Sequence, residues 1–223
     1  GKVGAVYVYE EDQPYVPITP ITPANGVTFD TCSYFTPPNF DWTLGQAFEK
    51  IELRFYTSAN QTKPTKVKIK DPTVTQFQMT DKIWKKILKL PGLSGGVVNW
   101  KIAGMNKGQD VVESEAFTMT IAAPEPAGKP DISPVTQSGI PTVTWGNSCA
   151  AKFKITFGSD SSFTKKKKLS FTDQNPTDNS NTFSATLTES TWGTIRKLVN
   201  DQIGGQIYFY VESWDIVKRY QKT

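Results

Sequence analysis

The 223-residue chain contains no histidine. Histidine is the most common general base and the usual partner of a catalytic serine or cysteine. The chain also has only two cysteines, so it cannot supply the four nitrogen and sulfur ligands of a structural zinc site. It has no glycine-rich phosphate-binding loop either. We therefore expect no catalytic residues, no metal site and no cofactor.

Long apolar runs are also missing from the sequence. No run approaches the roughly 20 apolar residues that a membrane helix requires, so we expect no membrane span. The chain has no signal-peptide pattern at its start and is expected to be a mature or excised segment. The net charge is +4. Because this charge is mild and no recognisable nucleic-acid module accompanies it, we expect no nucleic-acid partner.

Strand-forming residues are plentiful by contrast. Threonine, valine and the aromatic residues occur in short segments that alternate with period two, such as residues 152–157 and 182–187. Turn residues separate these segments, as at Asn25-Gly26 and Gly204-Gly205. Many short strands at regular spacing predict an all-β fold built of antiparallel β-sandwiches.

The aromatic residues reveal an internal repeat with an offset of about 105 residues, which is a common length for one domain. Three pairs of positions correspond, namely Trp42 with Trp145, Trp84 with Trp192, and Trp100 with Phe209. The matched positions favour core roles for the first two pairs. For Trp100 and Trp214, which lie on the penultimate predicted strands, both a core role and a surface role stay open.

The repeat predicts two tandem antiparallel β-sandwich domains. The first spans residues 24–123 and the second spans residues 131–223, with a linker at 124–130. Residues 1–23 are expected to hold an extended N-terminal strand and a proline-rich linker. Each domain is expected to contain one short helix with a tryptophan near its start, capped at Thr80 or Asp81 and at Ser190.

This succession of features resembles bacterial fibronectin type III-like domains. The similarity lies in a tryptophan on an early strand, an alternating partner strand, a short helix bearing a tryptophan, and a glycine-led strand that follows. The resemblance covers both units. It implies seven-stranded sandwiches, an immunoglobulin-like architecture, and a secreted or cell-surface protein.

The two ends of the chain suggest a missing strand and its replacement. The second unit stops before any counterpart of residues 116–121. A similar segment opens the chain and precedes a proline-rich stretch; it comprises Gly4, Ala5, Val6, Tyr7, Val8 and Tyr9. We interpret it as a donor strand whose Val6 and Val8 fill a groove on a neighbouring chain. The expected acceptor strand comprises Tyr208, Phe209, Tyr210 and Val211.

Two functional hypotheses follow from this pattern. In the first, the chain is a non-catalytic subunit that polymerises with itself, head to tail, in an extracellular assembly. In the second, it is a spacer or a carbohydrate-binding or adhesive module from a longer secreted protein. Its partners are then the neighbouring domains or a surface glycan. Both hypotheses place the chain outside the cell or at its surface.

The two cysteines and a lysine run form further candidate features. The predicted topology places Cys32 and Cys149 on the facing ends of the two domains, where they either form an interdomain disulfide or stay unpaired and buried. The four lysines of residues 165–168 lie in a predicted strand. We expect them to protect an exposed sheet edge rather than to bind a polyanion.

Overall fold

The computed structural model describes residues 17–30, 32–133, 139–146, 149–172, 182–201 and 204–222. These residues form two β-sandwich domains in series, which confirms the predicted all-β architecture. The proposed donor segment, residues 4–9, lies outside the described residues. No helix in the described part of the chain is long and apolar enough to cross a membrane.

The first domain contains strands and one α-helix that follow the chain in this order: β1 (Thr19–Thr22), β2 (Val27–Phe29), β3 (Asn39–Thr43), β4 (Lys50–Tyr56), β5 (Thr65–Ile69), β6 (Gln76–Gln78), α1 (Asp81–Ile87), β7 (Gly96–Met105), β8 (Val112–Glu113) and β9 (Phe117–Ile121). One sheet has the order β1-β3-β6. The other has the order β2-β9-β7-β4-β5, with β8 paired to the far end of β7.

The second domain repeats most of this layout with β10 (Asp131–Ile132), β11 (Thr142–Gly146), β12 (Lys152–Gly158), β13 (Lys166–Thr172), β14 (Thr182–Thr186), α2 (Glu189–Arg196), β15 (Tyr208–Trp214) and β16 (Tyr220–Lys222). Its two sheets have the orders β10-β11-β14 and β13-β12-β15-β16. Two packed sheets with these strand orders are the arrangement of a fibronectin type III-like sandwich.

Strand register aligns the two domains residue by residue. In the first domain Phe55 lies opposite Trp100, and in the second Phe157 lies opposite Phe209. Trp100 and Phe209 are therefore equivalent, as the repeat predicts. The strand β7 corresponds to β15, and β8 corresponds to β16. No described strand of the second domain corresponds to β9.

The tryptophans form much of both cores, with two exceptions. Trp42, Trp84, Trp100 and Trp145 are all at least 99% buried. Trp100 is thus a core residue, and the surface alternative considered for it is wrong. Trp192 is only partly buried against the second core. Trp214 is also partly exposed, and its ring lies 5.4 Å from that of Tyr220.

The start of the first domain differs from the prediction. Strand β1 pairs with β3, and Pro20 lies opposite Trp42, so these residues belong to the domain rather than to a free linker before residue 24. Ile18 and Pro20 are buried while Thr19 and Ile21 are exposed. The prolines of this segment had indicated a linker. An edge strand tolerates proline, since one of its sides donates no ladder hydrogen bond.

Helix α2 has a different cap from the predicted one, and the C-terminal end forms a short strand. Helix α2 begins at Glu189 and is capped by the Thr188 hydroxyl, which accepts from the backbone N–H of Thr191 at 3.1 Å, so the predicted cap at Ser190 is wrong. Residues 220–222 pair with β15 as β16. They are the counterpart of β8 and do not replace the missing β9.

Trp145 lies in the core of the second domain, so its removal should destabilise that domain. Trp145 stacks on Phe183 with 4.8 Å between ring centroids and meets Phe153 edge to face. Replacing Trp145 with alanine should lower the free energy of unfolding of the second domain by about 3–5 kcal/mol, since it leaves a large cavity. Urea denaturation measures this change. Leu93→Ala, at a side chain that is 68% exposed, is the control and should unfold like the parent. Equal midpoints for Trp145→Ala and the parent would contradict the core assignment.

Candidate functional site

One sheet edge of the second domain lacks a covering strand among the described residues, whereas strand β9 covers the equivalent edge within the first domain. Strand β16 pairs with β15 only through Glu212, Ser213 and Trp214. In the first domain, β9 pairs with β7 over residues 96–100, which correspond to residues 205–209. Among the described residues no strand lies beside residues 205–209 on the side away from β12. We call this stretch the open edge.

Side chains at equivalent positions are buried to different extents, because β9 covers them in the first domain and no described strand does so in the second. Val98 and Trp100 are completely buried beneath β9, and the ring of Phe117 on β9 lies 5.6 Å from that of Trp100. Their counterparts Ile207 and Phe209 are only partly buried. The open edge therefore presents apolar side chains beside the start of β15, where Tyr208 and Phe209 pair with β12 and with no other described strand.

Strand β9 shows which side chains such an edge accepts. Met119 and Ile121 on β9 are completely buried in the first core, and Phe117 packs against it. These three residues alternate along the strand, as expected when one face of a strand meets a core. Thr118 and Thr120 stand between them and are only partly buried. A strand that covers the open edge needs the same alternation of apolar side chains.

Two other edge strands, β5 and β13, carry exposed lysines. Strand β5, at the edge of the first domain, presents Lys66 and Lys68 as exposed residues. Strand β13, at the edge of the second, presents Lys166 and Lys168 in the same way. The last three lysines of the run, residues 166–168, thus lie on an edge strand, where their charges oppose pairing with another chain. The open edge carries no lysine between residues 205 and 209.

The residues expected to form the acceptor strand have different surroundings. Tyr208 and Phe209 lie at the open edge, and Phe209 stacks on Phe157 with 6.0 Å between centroids. Tyr210 packs edge to face on Phe163 at 4.6 Å. Val211 is completely buried within its own domain. Val211 stays part of the predicted acceptor strand, and its side chain contributes to the core of its own domain opposite Ile155.

A second feature joins the two domains. Cys32 and Cys149 form a disulfide with their Cα atoms 5.0 Å apart. Cys32 precedes a 3-10 helix of the first domain (Ser33–Phe35), and Cys149 lies between β11 and β12 of the second. The bond closes a sequence separation of 117 residues. It fixes the facing ends of the two domains to each other.

The turn between β15 and β16 inserts into this joint. Val217 is 93% buried and belongs to the hydrophobic core of the first domain, against which Ile216 also packs. Asp215 shapes the turn, since its carboxylate accepts from the backbone N–H groups of Val217 and Arg219 at 2.9 Å and 2.8 Å. The second domain thus contributes apolar side chains directly to the first core.

A buried ion pair and an aromatic ring complete the joint. Arg219 donates from Nε to the Asp215 carboxylate at 2.7 Å, and both residues are 97% buried. The Arg219 guanidinium lies 5.0 Å from the centroid of the Tyr34 ring in the first domain. Burial raises the pKa of the Tyr34 hydroxyl, although the nearby Arg219 cation opposes this effect. The neutral hydroxyl donates to the backbone carbonyl of Ala122, which directly follows β9 and precedes the linker.

Close backbone packing holds the linker against the second domain. The N–H of Gly128 donates to the carbonyl of Gly146 at 3.0 Å. A Cβ on Gly128 would lie 2.8 Å from the Cα of Gly146, so a side chain cannot fit without a shift of the backbone. The Ser213 hydroxyl also donates to the Glu125 carbonyl at 3.4 Å. Sequence analysis missed these contacts and the buried pair of Asp215 and Arg219, because nothing in a loop sequence marks such residues as buried.

No model of a known protein family matches the chain, and no curated protein matches it in sequence. Similar solved structures include the FN1–FN3 domains of chicken CNTN1, at 12% identity, covering 93% of this chain and 62% of that one, with a TM-score of 0.30. A tetra-tandem repeat from the extending region of a large adhesion protein has 13% identity, covers 93% and 47% of the respective chains, and has a TM-score of 0.35.

The fibronectin(III)-like modules of Clostridium thermocellum CbhA are also similar, at 10% identity, covering 92% of this chain and 90% of that one, with a TM-score of 0.29. The chain thus spans less than two thirds of the length of the first two structures. The fibronectin type III-like fold rests on the strand order and register of the two domains themselves. Within the described residues, no cluster of acidic or cysteine side chains could hold a metal ion.

The joint predicts a large effect of removing one partner of the buried ion pair. Arg219→Met should lower the free energy of unfolding by about 3–5 kcal/mol, since it leaves the Asp215 carboxylate buried without its cation. Denaturant unfolding measures the change. The matched control is Arg196→Met, whose pair with Asp201 is about half exposed and should contribute at most about 1 kcal/mol. If both variants lost the same free energy of unfolding, the joint would not depend on the ion pair of Asp215 and Arg219.

Proposed function

We propose that the protein is a non-catalytic structural subunit of an extracellular assembly, and that it polymerises head to tail. In this proposal, residues 4–9 of one subunit add to the open edge of the second domain of the next. The observation that carries the proposal is the partial exposure of Ile207 and Phe209, whose counterparts Val98 and Trp100 are buried beneath β9. Val6 and Val8 would cover these apolar side chains.

The path of β9 supports the direction of this contact. Strand β9 runs antiparallel to β7, from Phe117 opposite Trp100 to Ile121 opposite Gly96. Directly after Ile121 the chain enters the linker and then the second domain. A donor strand with the same direction beside β15 would likewise lead, through its proline-rich stretch, into the first domain of its own subunit. Each subunit would then follow the next along one axis, and a contact of this kind forms a filament when it does not close into a ring.

The disulfide supports the extracellular part of the proposal. Cys32 and Cys149 join the two domains, and such bonds persist in secreted and cell-surface proteins while the cytosol reduces them. An assembly outside the cell also benefits from a fixed joint, because a subunit with one orientation of its domains transmits a defined geometry to the next.

A spacer or binding module within a longer secreted protein is the competing proposal. In that case another part of the same protein covers the open edge, and the chain does not self-associate. The fixed joint between the two domains agrees with a spacer as well. The two proposals differ in whether the purified chain assembles through residues 4–9.

Deletion of residues 1–13 tests the assembly. We expect the full chain to form oligomers in light scattering and filaments or rings in electron microscopy. The shortened chain should stay monomeric and should unfold at lower denaturant concentration, because its open edge is uncovered. Adding a peptide of residues 1–13 should restore the stability of the second domain.

A pair of point variants tests the acceptor without changing the donor. Ile207→Lys places a charge at the open edge and should prevent assembly. Val97→Lys, at a position that is 50% exposed on β7, is the matched control and should leave assembly intact. Normal assembly of either the shortened chain or Ile207→Lys would contradict donor-strand polymerisation and would favour the spacer.

A further inference from the structure

The outer face of the first domain contains a polar cleft that is separate from the open edge and the joint. Its volume is about 550 Å³, and its lining comes from β4, β5, β7, β8 and the loop of residues 61–64. Clefts of this size fall within the range that small-molecule ligands occupy. The cleft lies over strands β5, β4 and β7, whose other faces pack in the core.

A row of three cations crosses the floor of the cleft. Arg54 on β4 lies directly opposite Lys66 on β5 and directly opposite Lys101 on β7. Like charges that face each other across neighbouring strands destabilise a sheet. The cations therefore need neighbouring carboxylates, or a ligand, to compensate for their repulsion.

Two glutamates compensate for part of this charge. Glu113 accepts from Nη1 of Arg54 at 2.5 Å and also pairs with Lys101. Glu52 pairs with Arg54 at 3.3 Å and lies 3.8 Å from Lys66. Burial alone would raise the pKa of Glu113, but Lys101 and Arg54 outweigh it and hold this pKa below its usual value. Both cations thus favour the charged form of Glu113.

The cleft as a whole stays positive. Lys63 in the loop adds a fourth cation to Arg54, Lys66 and Lys101, and the two glutamates subtract two charges, which leaves a net charge of +2. The Lys66 side chain is 49% exposed, so its ammonium group remains accessible to a ligand. An anion entering the cleft would meet Lys63 and Lys66 first, since both are exposed.

An aromatic ring and polar groups line the remaining walls. Tyr56 borders the cleft, and the ammonium group of Lys101 lies 5.6 Å from the centroid of its ring. Gln61 and Thr62 add an amide and a hydroxyl. A ring beside several hydrogen-bonding groups suits a ligand with both an apolar face and many hydroxyl groups, which is the chemistry of a sugar.

The second domain shows that the fold does not require this set of residues. The position of Arg54 is taken by Thr156, which lies opposite Lys168 and Tyr210. The position of Tyr56 is taken by Gly158. One cation of the row, Lys168, is thus kept while Arg54 and Lys101 have no charged counterpart. The charged row is a property of the first domain alone, and the sandwich forms without it.

We propose that this cleft binds an acidic saccharide, that is, a sugar carrying carboxylate or sulfate groups. The positive charge attracts the acidic groups, while Tyr56 and the polar wall contact the sugar ring. Arg54 is 13% exposed and held by two glutamates, so it acts as a fixed donor at the floor of the cleft. Lys63 and Lys66 provide the accessible charges.

Titration of the full chain with defined probes tests the proposal. The probes are a heparin-derived disaccharide, an oligouronate, a neutral disaccharide and inorganic sulfate, each followed by amide chemical shifts. At least one acidic saccharide should shift the signals of Tyr56, Thr62 and Lys101, and its affinity should fall as salt concentration rises. The neutral sugar should produce no shift.

Variants away from the core sharpen the test. Replacing both Lys63 and Lys66 with glutamine should weaken binding of the acidic saccharide by at least about tenfold, since each lysine provides a charged hydrogen bond. Lys168→Gln, at the equivalent position of the second domain, is the matched control and should leave binding unchanged. The proposal is overturned if neither acidic saccharide binds, if both variants bind alike, or if inorganic sulfate binds as tightly as the saccharides.

Discussion

A strand at the edge of a sheet exposes backbone groups that another strand can pair with, and the structure of this protein is organised around that constraint. The chain protects its sheet edges from such pairing in two ways. Lysines occupy β5 and β13, while β9 covers the strand β7 of the first domain. Residues 205–209 contain no lysine, and no described strand covers them. The open edge, which ends in the first two residues of β15, thus leaves apolar side chains and strand backbone together at the surface of the described part of the chain.

The strand β15 connects this edge with the interdomain joint. Ile207 directly precedes the strand and Phe209 is its second residue, while the other end leads into the turn that inserts Val217 into the first core. The buried pair of Asp215 and Arg219 holds the turn, and the Tyr34 ring faces the guanidinium. Because one strand serves both places, covering the open edge would also stabilise the strand from which the joint projects.

Comparing the two domains distinguishes the residues that every such sandwich requires from those that only one domain carries. Both copies keep an early-strand tryptophan, a short helix and paired central strands, since these fill the core. The outer faces of the sheets have no such constraint and have diverged. The first copy carries the charged row around Arg54, whereas the second places Thr156 there and buries it completely. Differences of this kind indicate function more directly than the shared core does.

The sequence alone determined the all-β class, the two-domain repeat and the tryptophans of the core, because side-chain periodicity and large aromatic residues depend on local pattern and burial. It also indicated that Cys32 and Cys149 could meet, since the order of the strands fixes the end of each domain where a loop lies. Only the tertiary structure decided that β1 begins before residue 24, that Val211 is core, and that Arg54 faces Lys66 and Lys101. These features depend on strand register and on contacts between residues far apart in the chain, and a one-residue change in register would move every side chain of a strand to the opposite face.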